Sequence, residues 1–230
     1  MNTSNNIIEA KKITKSFKDG DNFVTILKGI DLQIPQGQFV SIMGRSGAGK
    51  STLLYQLGLL DHPTSGELYI DNVDTTKLSS DDRTSFRLNK LGYVFQDYAL
   101  LPDLTALENV AVPLLMQGLE NSKAYEIALE SLKKVGLEKR ANNLSNKLSG
   151  GEQQRVSIAR SIAHKPKILF ADEPTANLDS ENSKHVIEIF LELHKAGQTI
   201  VMVTHEPEYG RLTERTITLA DGQIISDVRN

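Results

Sequence analysis

The chain contains no cysteine. Disulfides, thiolate metal sites and cysteine nucleophiles are excluded, and the composition fits a reducing compartment. Positive charge is not in excess either: 26 lysines and arginines face 29 aspartates and glutamates, a formal net charge of −3. No overall basic field draws the chain onto nucleic acid or an anionic membrane. No apolar run approaches the roughly 18 residues of a membrane-spanning helix. The polar start, MNTSNNIIEAKK, lacks the apolar core of a signal peptide. Internal repeats, low-complexity blocks and flexible linkers are also missing. The expectation is a chain that is soluble by itself. What is present is an ordinary globular balance, 39% apolar and 24% charged over 230 residues, enough for a proper core in one large domain or two small ones.

The apolar pattern predicts an α/β protein. From Ile7 to Ile34, runs rich in Ile, Val, Thr and Phe are broken by KDGDN at 18–22, which reads as antiparallel strands with a turn. FVSIM (39–43), LGYVF (91–95), KILFAD (167–172) and TIVMVT (199–204) read as short buried strands. Helical segments are predicted at 50–60 and near 105–116, 121–135, 151–164 and 180–195. Strands alternating with helices argue for a mostly parallel sheet covered on both faces. The stretch 97–160 holds helices and no convincing strand, so it is expected to be a helical subdomain inserted into the core. The tail, TITLADGQIIS, reads as a hairpin turning at Asp221-Gly222.

The loop GRSGAGKST, residues 44–52, satisfies G-x-x-x-x-G-K-[ST] between a predicted strand and a predicted helix. Glycines let the backbone curl until several N–H groups point at one anion, and the helix adds its positive end. Gly44, Arg45, Ser46, Gly47, Ala48, Gly49, Lys50, Ser51 and Thr52 are therefore expected to hold a nucleotide's phosphates. Lys50 can reach the β- and γ-phosphates, and the Ser51 hydroxyl can ligate Mg²⁺.

In ILFADEP (168–174) an apolar strand ends in Asp172 and Glu173. Ligands of open α/β sheets bind beyond the carboxyl ends of strands. Adjacent strand residues point to opposite faces, so the two carboxylates can take different tasks. Asp172 is placed to hold Mg²⁺, and Glu173 to orient or deprotonate an attacking water. His205 follows another strand end and could donate to a γ-phosphate or be structural. Gln96, after LGYVF, could reach Mg²⁺ or water through its amide, or satisfy backbone at the start of a loop.

LSGGEQQR, 148–155, is a second glycine pair at the start of a predicted helix. Ser149 and Glu152 are spaced as a capping box. The box does not account for Gly150-Gly151, because glycine is a poor helix former. Two glycines in a first turn make sense where something anionic comes close.

LSGGEQQR resembles the signature motif of ATP-binding-cassette (ABC) ATPases. With GRSGAGKST, Gln96, ILFADEP, NLD (177–179) and His205 it is similar to that family's full motif set, in the family's order, over essentially the whole chain. LGYVFQDYALLPDLTALENVAVPLL (91–115) further resembles the subfamily serving lipoprotein release, macrolide-type export and peptide-antibiotic detoxification. The resemblance implies a phosphate-loop ABC-ATPase fold: a mostly parallel core (1–96 and 161–230) with an N-terminal antiparallel β subdomain, and a helical subdomain at 97–160. Residues 44–52 match the Walker A loop, Asp172 the Walker B aspartate, Glu173 the catalytic glutamate, His205 the switch histidine, Gln96 the Q-loop and Asp179 the D-loop. Phe17 stands where the family has an aromatic stacking on adenine; it could also be strand core.

The resemblance implies ATP and Mg²⁺ as cofactors, with Ser51, Gln96 and Asp172 toward the metal. It implies two subunits paired head to tail, so that Ser149, Gly150, Gly151, Glu152 and Asp179 face the ATP of the partner. It implies a separate integral membrane permease docked near 97–116, no nucleic acid, and a cytoplasmic chain peripheral on the inner face of the cell membrane. Three other readings remain open at this point. A soluble ABC ATPase of DNA repair or translation would carry long coiled coils or two cassettes. A small-molecule kinase would leave LSGGEQQR unexplained. ATP-driven shape change across the membrane without transport would keep the permease.

Overall fold

The computed structural model describes residues 6–230. Its contacts divide the chain into two compact units, one taking the chain up to Ser85 together with Ala196–Asn230, the other Phe86–Lys195.

In the first unit, β1 (Asn6–Asp19) and β2 (Asn22–Pro35) form a long antiparallel pair. The turn falls at Gly20-Asp21, as the KDGDN break predicts. β1 also pairs antiparallel with β4 (Ser65–Ile70), which pairs with β5 (Val73–Asp74). β3 (Phe39–Met43) lies parallel to β8 (Thr199–Val203) on one side and β9 (Arg215–Ala220) on the other. β9 turns at Asp221-Gly222 into β10 (Gln223–Arg229), as the tail pattern predicts. Ile8, Ile13, Leu27, Ile34, Phe39, Ile42 and Val201 are fully or almost fully buried.

Two departures from the sequence reading lie here. β4, β5 and α2 (Ser80–Lys90) were not among the expected elements. A signal for the β4–β5 hairpin exists: Asp71 and Asn72 both take positive φ, the two-residue turn such short polar residues tolerate. The helix after the phosphate loop, α1 (Lys50–Leu57), stops three residues before the expected Leu60. Leu59 turns into the left-handed region at φ 61, and the Leu60 N–H reaches back to the Tyr55 carbonyl at 2.9 Å.

In the second unit, β6 (Leu91–Val94) and β7 (Ile168–Asp172) pair in parallel. β7 is buried along its whole length, which is why its sequence is continuously apolar. α3 (Ala106–Met116), α4 (Asn121–Lys134) and α5 (Gly150–Ile162) pack on one another around Val110, Ala111, Leu114, Ala128, Leu132, Val156 and Ala159. α5 also packs on β6, so the helical stretch 97–160 shares its unit with β6, β7 and α6 (Ser180–Lys195).

Candidate functional site

The first unit carries the phosphate loop. Gly44 leaves β3 at φ 152, and a Cβ there would sit 2.2 Å from the Leu219 carbonyl oxygen, so only glycine lets the loop pass β9. The Ala48 N–H closes the turn on the Arg45 carbonyl at 3.2 Å, and Ala48 O accepts from Gly222 N at 3.2 Å. Gly49, in the left-handed region, is the N-cap of α1, and no side chain caps that helix. Lys50 is buried, and its Nζ donates to the Arg45 carbonyl at 3.2 Å, folding the ammonium back over the loop. Ser51 and Thr52 follow in the first turn, half-buried. β8 ends beside β3, with Val203 opposite Ile42 and Thr204 N donating to Ile42 O at 3.2 Å. His205 is thereby brought, exposed, to the edge where the phosphate loop begins. Phe17 lies near the end of β1 with 45% of its surface exposed, opposite Val24.

The second unit carries the remaining motifs. Val94 is opposite Ala171, so Gln96 and the Asp172-Glu173 pair leave neighbouring strand ends. Asp172 is buried, and Glu173 is half-buried at φ 43. A non-glycine residue in that region costs about 1–3 kcal/mol and needs surroundings that hold it. Contacts that hold this turn include Glu173 O accepting from Ala176 N at 3.2 Å and Pro174 O accepting from Gln154 Nε2 at 2.7 Å. Gln96 is exposed, and its carbonyl accepts from Asn177 Nδ2 at 3.2 Å. The same amide also donates to Asp97 Oδ1 at 3.1 Å.

The capping box at 149–152 is formed. Ser149 Oγ accepts from Glu152 N at 3.2 Å, and Glu152 Oε2 accepts from Ser149 N at 2.9 Å. Arg140 Nε donates to the other carboxylate oxygen at 2.9 Å. The Ser149 N–H chiefly, and then Arg140, hold the Glu152 carboxyl below its ordinary pKa against the opposing effect of burial. The glycine pair has an internal reason that the sequence did not show. A Cβ on Gly151 would lie 2.0 Å from Asn182 Oδ1, and one on Gly150 would lie 2.9 Å from the Tyr98 hydroxyl and 3.8 Å from Leu178 Cδ2. Asn182 in turn donates through N and Nδ2 to Asp179 at 2.8 and 2.9 Å. These two bonds lower the Asp179 pKa. The structure therefore gathers Ser149, Gly150, Gly151, Glu152 and Asp179 at one end of α5.

Sequence reasoning missed the residues that connect these motifs. Fully buried Gln154 donates to Pro174 O and, at 3.4 Å, to Phe95 O. Its signal was a polar residue on the apolar face of α5, four and eight positions before Ile158 and Ile162. Arg160 donates to the Ala99 and Tyr98 carbonyls at 2.5 and 3.0 Å, and burial pushes its pKa down to about 10. Both act on backbone carbonyls of distant loops, and nothing in the local sequence names those acceptors.

A lysine-bearing glycine loop between a parallel strand and a helix, and an Asp-Glu pair ending another parallel strand, define a phosphate-loop nucleoside triphosphatase. The family model for ABC transporters matches residues 27–176. Over 222 residues the chain is 47% identical to the lipoprotein-releasing system ATP-binding protein LolD of Aquifex aeolicus, covering 96% of this chain and 97% of that one. It is also 47% identical to the macrolide export ATP-binding/permease protein MacB of Bdellovibrio bacteriovorus, covering 97% of this chain but only 34% of that longer protein. Among solved structures, it superposes at a TM-score of 0.90 and 44% identity on one chain of the dimeric ATP-binding cassette MJ0796 in a post-hydrolysis state bound to ADP and Pi, covering 96% of this chain and 98% of that one. The chain belongs to the ABC transporter family, as an ATP-binding and ATP-hydrolysing subunit. Among the described residues no helix is long and apolar enough to cross a membrane.

Proposed function

We propose that the chain powers a separate membrane permease, two copies closing head to tail around ATP and reopening after hydrolysis. One observation carries the paired reading: the start of α5, where exposed Ser149 and half-buried Gly150 open a helix with its own capping box, in a chain whose phosphate loop already serves one nucleotide. A second such helix end suits the ATP of a neighbour. The dimeric cassette with ADP and Pi supports this pairing.

In this reading residues 44–52 cradle the phosphates, Lys50 neutralises the β- and γ-phosphates, and Phe17 stacks on adenine. Glu173 orients and deprotonates the attacking water, and His205 donates to the γ-phosphate. Ser149, Gly150, Gly151, Glu152 and Asp179 face the partner's ATP. Mg²⁺, held by Ser51, Gln96 and Asp172, would neutralise charge developing on the phosphates. These oxygen donors suit a hard cation.

The segment 97–160 acts as the helical subdomain, and its first part, 97–116, is the permease contact. Half of Leu101 and two-thirds of Met116 are exposed there. The chain then lies on the inner face of the cell membrane and works in export, lipoprotein release or efflux of drugs and antimicrobial peptides; the names of its relatives favour the first two.

Glu173→Gln tests the reading. Turnover is expected to fall by about a hundredfold or more, while ATP binding survives and the protein accumulates as a dimer in ATP on size-exclusion chromatography with light scattering. Near-wild-type hydrolysis in that variant removes Glu173 as the base. A variant that binds ATP yet stays monomeric removes the head-to-tail reading.

A further inference from the structure

The reading of Phe17 as the adenine platform leaves open what fixes its ring. Lys15 and Phe17 are two residues apart on β1 and so share a face of the sheet. The Lys15 ammonium lies over the Phe17 ring, 4.9 Å from its centroid. Lysine heads ordinarily stay in water, but only 12% of the Lys15 side chain is exposed, and its Nζ is held by three acceptors. It donates to Asp61 Oδ1 at 2.8 Å and to His62 O at 2.7 Å, with Asp61 Oδ2 at 2.7 Å.

Asp61 is itself fixed from three other directions. His62 N donates to its Oδ1 at 2.7 Å, and Gln56 Nε2 to its Oδ2 at 3.1 Å. Its backbone N–H donates to Tyr55 O at 3.2 Å. From α2, buried Arg83 donates to the carbonyls of Leu59, at 3.1 Å, and Asp61, and its guanidinium meets His62 Nδ1. Burial pushes the Asp61 carboxyl up, and the bonds from Lys15, His62 and Gln56 outweigh it, so the group stays ionised at neutral pH.

Gln56 and Tyr55 belong to the last turns of α1, the helix that the phosphate loop opens. A continuous path therefore runs from the Phe17 ring through Lys15 and Asp61 to α1. ATP is a long ligand, and its base and its phosphates can bind together only if the two platforms keep a fixed separation.

We propose that Lys15 and Asp61 form a positioning clamp for ATP, holding the Phe17 ring at a set place relative to the helix of the phosphate loop. The clamp rests on the adenine-stacking reading of Phe17. Neither residue touches the reacting phosphates, so the clamp acts on affinity for the nucleotide and not on the chemical step.

The test compares ATP with inorganic tripolyphosphate, which has phosphates but no base, by equilibrium binding to the purified full chain, together with steady-state ATPase kinetics. Lys15→Met and Asp61→Asn are each expected to weaken ATP about three- to fivefold, the scale of a partly exposed cation–π contact. Tripolyphosphate affinity stays as it was, and the ATPase change falls on KM, not kcat. Lys15→Arg, which keeps the cation and the pair, restores ATP affinity. In a Phe17→Ala background Lys15→Met has no further effect. If Phe17→Ala leaves ATP affinity unchanged, the stacking reading fails and the clamp with it. If Phe17→Ala weakens ATP but Lys15→Met does not, the clamp alone fails. Equal weakening of ATP and tripolyphosphate by Lys15→Met also overturns the clamp, because it reports a general packing defect.

Discussion

Two helices of this chain open on glycine, and they open differently. α1 starts from Gly49, left-handed at φ 98, with no side-chain cap and no acidic residue in its first turn. α5 starts from Ser149, extended at φ −64 and ψ 161, with a complete capping box and Glu152 in its first turn. A helix start presents N–H groups without intrahelical partners and a partial positive charge. α1 leaves that charge to a ligand. α5 answers part of it from its own sequence, through the Ser149 hydroxyl and the Glu152 carboxylate. An uncapped start suits the nucleotide that a subunit carries by itself. In the proposed head-to-tail pairing, a capped start stays stable in water until another subunit brings a nucleotide to it.

The comparison breaks most sharply at Lys50. Lys50→Ala removes a buried ammonium from the loop of α1 and is expected to cost ATP binding about 2–3 kcal/mol, on the order of a hundredfold in Kd measured by calorimetry. Ser149→Arg is the counterpart at α5. ATP binding by the monomer is expected to hold within about twofold, since in the proposed head-to-tail pairing the residue serves the partner's site, while turnover falls by about a hundredfold, the scale of a lost transition-state donor set. Single-turnover and binding measurements on the same preparation separate the two. A Ser149→Arg variant that hydrolyses and dimerises normally would erase the distinction between the helix starts. The smallest effect is Ser149→Ala. It removes the cap with no added bulk, so about 1 kcal/mol of stability is lost. Thermal unfolding reads this as a lowered Tm, with ATP affinity unchanged.

The candidate site motifs were legible in sequence because each is local. Lysine after two glycines, acids ending an apolar run, and serine three residues before glutamate are each spelled within a few positions. The same holds for the hairpins at Gly20 and Gly222, whose turns are named by their own residues. The reading failed where a short element is defined by its partner. β5 is two residues long and exists as a strand through its pairing with β4. The early stop of α1 is likewise a product of context, because Leu59 takes φ 61 while buried. Gly151 is the instructive case. Its sequence position suggests room for an anion, and its structure shows Asn182 already occupying the space a side chain would need.

The sequence by itself determined the candidate groups for chemistry: the loop of 44–52, the Asp172-Glu173 pair at a strand end, and two glycine-opened helices. Backbone conformation and charge follow from residue type over a few positions, so these are readable one motif at a time. Only the tertiary structure decided what holds them. Lys15 and Asp61 are 46 residues apart, Gln154 and Phe95 59, and Asn177 and Gln96 81. No local rule pairs them. Their bonds form because sheet register and helix packing bring a donor within reach of a carbonyl or carboxylate; where burial removes the donor from water, as for Gln154, leaving it unpaired would be costly.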